Sequence, residues 1–531
     1  MQVPSMMAES AGHVVMLARL TRDLPGLLRR PISLEQARAS IRERLRTRER
    51  RFLTILDRAI YRHPTSPYAR LLRNAGCTYG DIVALVRAEG VEGALRQLAD
   101  RGVYVTLDEL KGRHEAVRGS QRFAFSAEQF DNPLVRPQFV RYTSGTRGRP
   151  SRVGWSLAWM RELAEIDACT FEAFGLHAPR HAFLSAAPFH RLFAYAALGQ
   201  PVAAWHYPVA PIPLRARAYG RYVAAITSLM GYPVPAPTYR GVEHAAAVAR
   251  ELADLSRGGR QTVVYTVTST AARIAGAAAQ AGISLHGVAF LAVGEPMTEA
   301  RKQLLEEVGA QTIVSYGSVE VSTLGNGCPA ATVADDVHLF HDQAALTARQ
   351  RPVFEDGPLV DALLVSTLSL HGGKILLNGE LGDTATVEER DSRCCNLGAL
   401  GFTTHVSGIR SFEKMSTEGV SFARSHLDQI LEEALPARFG GTAIDYQLVE
   451  YEAIDEREAR LILRVHPAIQ LASEAEVKAA FLAELGRESL VDRHQARLLE
   501  RANAIQVSRE PPLATPRGKI LPFQVVAPPS G

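Results

Sequence analysis

Short apolar runs alternate with helical segments through the middle of the chain, and this alternation constrains the fold most. The apolar runs span residues 182–188, 262–267, 288–293 and 312–314. Runs of this length without polar alternation are typical of strands buried on both faces, and the intervening helices return the chain for parallel pairing. The alternation therefore predicts parallel βαβ units and an α/β fold.

The pattern changes after Gly408. A helix is predicted from Ser425 to Leu435, followed by strands at 446–451 and 460–465, a helix at 475–485 and a strand at 504–507. This unit of about a hundred residues has a common domain size and an α+β pattern. At 531 residues the chain is too long for one ordinary core. Two domains are therefore expected, with a linker near residues 407–413.

Two stretches of the N-terminal part are less regular. Residues 1–30 contain methionine and arginine and are predicted to be partly disordered. Ser33 and Gln36 form a capping box that predicts the start of a helix with Leu34, Ala37 and Ile41 on one face. The proline-rich stretch from residue 201 to residue 237 is predicted to break regular structure and to wrap one face of the domain.

Charge, cysteine content and hydropathy exclude several classes of protein. The formal net charge of +4 is small for this length and does not favour nucleic-acid binding. No apolar run approaches the ~20 residues of a membrane span, and no secretory signal is evident. Five cysteines form no paired framework, which suits a reducing compartment. We therefore expect a cytoplasmic protein without nucleic-acid or membrane partners.

The loop from Arg141 to Pro150 has the composition of an anion site. Its two glycines allow backbone amides to turn inward, while serine and threonine add hydroxyl donors. No Gly-Lys-Ser/Thr follows at the spacing of a Walker A loop, although three arginines supply positive charge. From these residues alone, an ordinary solvated turn and a polyphosphate site are equally open.

Three further stretches follow this loop in order. They are Gly294-Glu295-Pro296 with residues 315–320, then Gly379–Asp383 with Arg410, and finally residues 516–519. Together with the loop they resemble the core motifs of adenylate-forming enzymes, the superfamily of acyl-CoA synthetases, peptide-synthetase adenylation domains and luciferases. The closer resemblance is to the phenylacetate–coenzyme A ligase-like branch, which includes acyl-protein synthetases. It covers most of the chain from about residue 50.

The resemblance implies a domain arrangement and a reaction. Residues 1–407 would form a large N-terminal domain of mixed and parallel sheets covered by helices, with residues 1–50 as a helical, partly flexible extension. Residues 408–413 would be the hinge of a small, mobile α+β lid at 414–531. A small carboxylic acid would react with ATP and Mg²⁺ to give an acyl-adenylate and pyrophosphate. The acyl group would then pass to an amine or to a thiol of coenzyme A, a carrier-protein phosphopantetheine or a protein cysteine.

The resemblance also assigns roles to individual residues. Lys519, Glu320 and Arg410 would be catalytic, and Glu320 would also hold Mg²⁺. Phe189 and His190 would contact the acid and the acceptor tunnel. Nucleotide binding would fall to residues of the first three stretches: Thr143, Ser144, Gly145, Thr146, Gly148, Gly294, Glu295, Pro296, Ser315, Tyr316, Gly317, Ser318 and Asp383. An acceptor or carrier protein would act in trans, and the chain would be a monomer or a homodimer.

Each assignment has a structural alternative. Glu320 could be a surface glutamate, Asp383 a turn residue, Lys519 a solvated lysine and His190 a core histidine. Ser151 stands where the superfamily often has lysine, which suits the narrower branch. Val319 replaces the usual threonine. Phe412 occupies the acidic hinge position, with Glu413 beside it. Val319 and Phe412 favour a second reading, a catalytically degenerate nucleotide-binding scaffold.

Three cysteines, Cys328, Cys394 and Cys395, raise the question of zinc. Adjacent cysteines seldom ligate one ion well, and no two-by-two spacing is present. The sequence therefore does not favour zinc as a cofactor. An acyltransferase that uses Cys394 or Cys395 as nucleophile is also disfavoured, because no histidine is evidently paired with either.

Overall fold

The computed structural model describes residues 3–142, 151–208, 212–353, 359–391, 394–412, 416–417, 420–421, 427–451, 460–487, 490–501, 504–515 and 518–526. Within these residues the chain forms one large mixed sheet with helices on both faces, and a smaller four-stranded sheet near the C-terminus. The predicted α/β fold with a small α+β C-terminal part is thus confirmed. No helix of the described part combines the length and the apolar character that crossing a membrane requires.

The first part of the chain is mainly helical. Its elements are α1 (Val3–Leu28), α2 (Leu34–Arg46), α3 (Arg48–Ile55), a π-helical turn (Leu56–Tyr61), α4 (Pro67–Asn74), α5 (Tyr79–Asp100), α6 (Leu107–Leu110), the hairpin β1 (Ala116–Arg118) and β2 (Gln121–Phe123), and a 3₁₀ turn (Ala127–Phe130). The capping box predicted at Ser33 and Gln36 is confirmed. Residues 1–30 were expected to be partly disordered; helix α1 spans Val3–Leu28 and buries Leu20, Leu24 and Leu27 against the central core.

The central part contains the alternating strands and helices. Its elements are β3 (Phe139–Tyr142), β4 (Arg152–Trp155), α7 (Leu157–Ala173), β5 (Arg180–Leu184), α8 (Phe189–Ala197), β6 (Val202–Tyr207), α9 (Leu214–Leu229), β7 (Thr238–Tyr239), a 3₁₀ turn (Val242–His244), α10 (Ala245–Leu255), β8 (Thr262–Val267), α11 (Thr268–Gln280), β9 (Val288–Val293), α12 (Glu299–Glu307) and β10 (Gln311–Ser318). The prediction that residues 201–237 lack regular structure is wrong. Prolines flank β6 and α9 there rather than interrupting them.

An antiparallel region follows and ends near the predicted linker. Its elements are β11 (Ser322–Asn326), β12 (Val337–Leu339), β13 (Ala344–Pro352), β14 (Leu359–Thr367), β15 (Gly379–Glu389), α13 (Asn396–Leu400) and β16 (Thr404–Ser411). The large sheet has the order β13-β14-β15-β16-β12-β11-β10-β9-β8-β5-β6-β7. Strands β5 to β10 pair in parallel, and β10 to β16 pair antiparallel.

Successive residues of the parallel strands enter different cores, as the two-residue period of a strand requires. On β8, Val263 and Tyr265 pack with α7 and α8, whereas Val264 packs with α10, α11 and α12. On β9, Leu291 faces the first core and Phe290 the second. Both faces of the parallel half are therefore covered, which explains why its strands read as continuous apolar runs.

The C-terminal part forms its own core. Its elements are β17 (Ser416–Thr417), β18 (Val420–Ser421), α14 (Leu427–Gln429), a π-helical turn (Ile430–Ala434), α15 (Leu435–Phe439), β19 (Tyr446–Tyr451), β20 (Arg460–Val465), α16 (Glu474–Leu485), α17 (Leu490–Arg501), β21 (Ile505–Ser508) and β22 (Phe523–Val526). Strands β21, β20, β19 and β22 make the small sheet. Phe481 of α16 and Leu448 of β19 are fully buried in its core.

Candidate functional site

A cavity of about 1050 Å³ opens at the carboxyl ends of the parallel strands. It is lined by residues that follow β5, end β6 and β8, and follow β9 and β10. Strand β5 lies between β6 and β8, so the chain leaves β5 to one side and later returns to the other. Such a topological switch point leaves a crevice outside the strand ends, where open α/β sheets bind ligands.

The cavity brings together residues from sequence motifs that are far apart along the chain, from Gly294 to Lys519. Predicted site residues that line it are Phe189, His190, Gly294, Ser315, Gly317, Ser318, Glu320, Asp383 and Lys519. The predicted phosphate-binding residues Thr143, Ser144, Gly145, Thr146 and Gly148 lie outside the described residues. The two strands that flank this loop, β3 and β4, pair with each other, and Arg141, Tyr142 and Trp155 on them line the cavity.

Lys519 reaches the cavity from the C-terminal part of the chain. Its Nζ donates a hydrogen bond of 2.6 Å to the backbone carbonyl oxygen of Gly294, just after β9. Gly294 has φ +78°, and a Cβ at this position would lie 2.8 Å from Nζ of Lys519. A side chain at residue 294 would therefore be strained and would also displace the ammonium group.

The loop that carries Lys519 is docked on the N-terminal end of α11. Ser269 Oγ accepts a hydrogen bond of 3.1 Å from the backbone N–H of Ile520 and donates one of 3.5 Å to the carbonyl of Gly518. Thr515 Oγ1 accepts a hydrogen bond of 3.1 Å from the N–H of Lys519. These contacts fix the backbone on both sides of Lys519, so its side chain is directed into the cavity.

A buried ion pair joins α12 to the π-helical turn 430–434. Arg301 Nη2 lies 2.8 Å from Glu432 Oε1, and each side chain is 2% exposed. Thr298 Oγ1 donates a hydrogen bond of 2.5 Å to the same carboxylate, and Arg301 also donates to the carbonyl of Ile520. Arg301 therefore holds two segments of the C-terminal part, one of them next to Lys519, against the central sheet.

The protonation of Glu432 should make the contribution of the Arg301–Glu432 pair to stability depend on pH. Burial raises the pKa of Glu432 to about 7, with Arg301 opposing the shift. A carboxyl whose pKa is raised on folding stabilises most below its unfolded pKa, and this contribution is lost as the pH rises through the folded value. We expect the stability of the native chain relative to Glu432→Gln to fall by roughly 2–3 kcal/mol between about pH 4.5 and pH 7. Denaturant unfolding of both proteins across this range measures the difference.

Glu433→Gln is the matched control, because Glu433 is the exposed neighbour of Glu432. The difference between the native chain and this control should not change over the same pH range. A Glu432→Gln difference that is constant with pH, or that grows as the pH rises, would contradict the role assigned to the buried carboxyl.

Tyr316 and Asp383 form a pair at the edge of the cavity. The Tyr316 hydroxyl donates a hydrogen bond of 3.1 Å to Asp383 Oδ2. Burial, followed by the nearby Asp383 carboxylate, raises the pKa of Tyr316 well above its usual value, so the hydroxyl remains a donor. Asp383 lines the cavity, whereas Tyr316 lies behind it. Tyr316 thus orients the carboxylate predicted to bind ribose.

Glu320 lies in the turn between β10 and β11 and is 7% exposed. Its backbone N–H donates to Ser318 Oγ, and within the described residues no cationic side chain pairs with its carboxylate. The strand pairing shifts register between Tyr316 and Gly317, directly before this turn. Bulges of this kind re-aim the following side chains. A buried carboxylate without a cationic partner is costly and is suited to receiving a bound cation.

Besides Tyr316, three described residues of the predicted site do not line the cavity. Glu295 accepts a hydrogen bond of 2.8 Å from the backbone N–H of Ser269 and so caps α11. The carbonyl of Pro296 faces Arg301 at 3.5 Å. Arg410 pairs with Asp335 at 3.0 Å and with Asp428 at 3.3 Å. Arg410 therefore connects β16 to α14.

The other end of the cavity is walled by aromatic side chains. Phe189 packs edge-on against Tyr219, with ring centroids 4.6 Å apart. His190 packs edge-on against Trp155 and Tyr265 and is 4% exposed. Burial, with the guanidinium groups of Arg141 and Arg191, holds the pKa of His190 well below its usual value. His190 is therefore a neutral part of this wall.

Basic side chains outnumber acidic ones around the cavity. Six described lining residues are basic and two are acidic: Lys111, Arg113, Arg141, Arg191, Arg215 and Lys519 against Glu320 and Asp383. Arg191 is already paired with the buried Asp167 and donates a hydrogen bond of 2.8 Å to Thr323 Oγ1. The remaining excess of positive charge favours a polyanionic ligand.

Sequence reasoning missed two parts of the wall. Met16 and Leu17 of α1 line the cavity, although the first thirty residues were expected to be partly disordered. Tyr219 belongs to α9, inside the stretch that was expected to lack regular structure. The apolar spacing of Leu20, Leu24 and Leu27 was the available signal for α1.

No protein-family model matches the sequence, and no curated protein matches it. Among solved structures, the chain is similar to the anthranilate CoA ligase AuaEII in complex with anthranoyl-AMP (12% identity, TM-score 0.42). That likeness covers 72% of this chain and 64% of the ligase, so the chain spans a little under two thirds of the ligase's length.

Two other solved structures are similar over more of the chain. ATP-bound MatB from Rhodopseudomonas palustris has 11% identity and a TM-score of 0.41, covering 86% of this chain and 76% of MatB. Wild-type E. coli MenE with a bound analogue of OSB-AMS has 10% identity and a TM-score of 0.34, covering 78% and 70%. At these TM-scores the likenesses carry no argument about what this chain does.

Proposed function

We propose that the chain activates a carboxylic acid with ATP, forming an acyl-adenylate and releasing pyrophosphate. The acyl group then passes to an amine or to a thiol of coenzyme A, a carrier-protein phosphopantetheine or a protein cysteine. One observation carries the proposal: Gly294, Glu320, Asp383 and Lys519, which come from three different motifs, line a single cavity at the switch point of the parallel sheet.

The nucleotide end of the cavity has the groups that this chemistry needs. Asp383, oriented by Tyr316, offers a carboxylate to the ribose hydroxyls. Lys519 would leave the carbonyl of Gly294 and bridge the acid and the α-phosphate, where negative charge develops in the transition state. The excess of basic side chains favours a triphosphate.

The buried carboxylate of Glu320 fits Mg²⁺. It is an oxygen ligand in a cavity suited to a polyphosphate, and no described cationic side chain neutralises it. When bound, the ion supplies charge neutralisation for the phosphates. Glu320 itself would hold the ion beside Ser318, whose hydroxyl is engaged by the backbone N–H of Glu320.

The aromatic end would receive the acid. Phe189, Tyr219 and Trp155 present ring faces and edges, and Met16 adds an apolar, adaptable side chain. A planar or bulky apolar body would bury more surface there than a short aliphatic chain. We therefore propose an aromatic or similarly apolar carboxylic acid as the substrate.

The domain boundaries are part of the same proposal. Residues 1–407 would stay fixed while residues 414–531 rotate about 408–413, because Lys519 must withdraw before an acceptor enters. Arg410 lies at this hinge and pairs with Asp335 on one side and Asp428 on the other.

Acid-dependent exchange of pyrophosphate into ATP tests the adenylation step. We expect exchange with a panel of aromatic acids, weaker exchange with acetate, and an acyl-adenylate detectable by mass spectrometry. ATP binding by thermal shift without exchange across the panel would refute catalysis and support the alternative, a nucleotide-binding scaffold. Val319 and Phe412, at positions where the family usually has threonine and an acidic residue, favour that alternative.

A further inference from the structure

Three thiols and one imidazole converge at a point outside the cavity. Their ligating atoms, on Cys328, His338, Cys394 and Cys395, all lie within 4.8 Å of one another. Cys328 follows β11, His338 lies on β12, and Cys395 is the residue before α13. No disulfide joins the cysteines of the described chain. The large sheet, rather than sequence proximity, therefore assembles this group.

The spacing of these atoms fits a tetrahedral ion. Zinc–sulfur bonds of about 2.3 Å place two tetrahedral sulfur ligands about 3.8 Å apart, and a sulfur and a nitrogen slightly closer. The Sγ atoms of Cys394 and Cys395 are 3.7 Å apart, and His338 Nε2 lies 3.7 Å and 3.2 Å from them. Adjacent cysteines can thus occupy two corners of one tetrahedron here.

A neighbouring hydrogen bond prepares His338 as a ligand. Its Nδ1 lies 2.6 Å from the carbonyl oxygen of Phe402. Because a carbonyl only accepts, Nδ1 carries the proton and Nε2 directs its lone pair toward the thiols. Imidazole ligands of metals are characteristically fixed in this way through their second nitrogen. His338 is fully buried, so this orientation is held by packing as well.

We propose that Cys328, His338, Cys394 and Cys395 bind one structural Zn²⁺ ion. Four protein ligands with three thiolates form a closed set of the type that structural zinc sites use. A nucleophilic Cys–His pair would need only one thiol, and none of the four residues lines the cavity. The inference does not depend on the proposed adenylation.

The ion would secure a defined part of the fold. It would join the segment after β11, strand β12 and the start of α13, whose Leu397 and Leu400 pack in the central core. The sequence disfavoured zinc because Cys394 and Cys395 are adjacent, and it indicated no paired histidine. The pairing of β12 with β16 supplies the missing ligand by bringing His338 beside the 394–395 segment.

Metal analysis of the reduced full-length chain, purified without chelator, tests the site. We expect one zinc per chain, and X-ray absorption that shows three sulfur ligands and one nitrogen ligand at about 2.3 Å and 2.0–2.1 Å. Replacement by Co²⁺ should give the charge-transfer and d–d absorption of a tetrahedral thiolate site. Removal of the metal should lower the apparent unfolding temperature.

Variants test the ligands individually. Cys328→Ser, Cys395→Ser and His338→Gln should each lose most of the bound zinc, whereas Cys77→Ser, at a buried thiol elsewhere, should retain it. Because ligand variants could misfold, the zinc content and X-ray absorption of the native chain are sufficient to test the site without them. The proposal is contradicted if the reduced chain neither contains zinc nor takes it up. It is also contradicted if X-ray absorption shows only oxygen and nitrogen ligands around the zinc and no sulfur. Full zinc retention in the ligand variants would do the same.

Discussion

Replacing Lys519 by alanine is expected to lower the rate of acid-dependent pyrophosphate exchange by ~10²–10³, the cost of losing one donor to developing charge. The ammonium group is the part of the C-terminal segment that enters the cavity, and it lies on the carbonyl of Gly294 at 2.6 Å. Ser269 and Arg301 hold the backbone around it, so the variant should keep its docked loop while losing only the charge.

A control variant distinguishes a catalytic role of Lys519 from a general loss of stability. Lys478→Ala, on α16 and away from the cavity, should retain full exchange. Transfer from a supplied acyl-adenylate to the acceptor should be much less affected by Lys519→Ala than its formation. Full pyrophosphate exchange by the alanine variant would rule out Lys519 as the stabilising group.

Replacing Glu320 by glutamine is expected to lower the same exchange by ~10²-fold and to raise the Mg²⁺ concentration needed for half-maximal rate. Glutamine keeps the size of the side chain in the turn between β10 and β11 but removes its negative charge. The loss should therefore be partly recovered at high Mg²⁺, a response that a purely structural defect would not show.

Glu307→Gln is the matched control, because Glu307 is exposed on α12 and does not line the cavity. Its exchange rate and Mg²⁺ dependence should equal those of the native chain. If Glu320→Gln has the same Mg²⁺ dependence as the native chain, then Glu320 is not a ligand of the ion, whether or not the rate of pyrophosphate exchange falls.

Local patterns predicted the parallel half of the fold well. The apolar runs of β8 and β9 are buried on both faces, and this shows directly in their composition. The motif residues Gly294, Glu320 and Asp383 were singled out by their resemblance, in order along the chain, to motifs of adenylate-forming enzymes, and all three line the cavity. The order of the strands brings these residues to one cavity. Because that order depends on pairing between distant segments, no local pattern in the sequence predicts it.

Other features depend on contacts between distant segments and were missed for that reason. Helix α9 and its Tyr219 were missed because residues 201–237 are rich in proline. These prolines lie outside the helix, at the ends of the neighbouring elements. The contact by which the Glu295 carboxylate caps α11 likewise joins segments that are distant along the chain. His338 has no sequence relation to Cys395 and becomes its neighbour only through β12 and β16.

The first helix supplies part of the cavity wall. Met16 and Leu17 contact the cavity from α1, far along the chain from the residues proposed to hold ATP. Under the proposed function, substitutions on this helix are expected to reshape the space for the acid. Exchange of this one segment between related chains is then expected to change which acid is accepted.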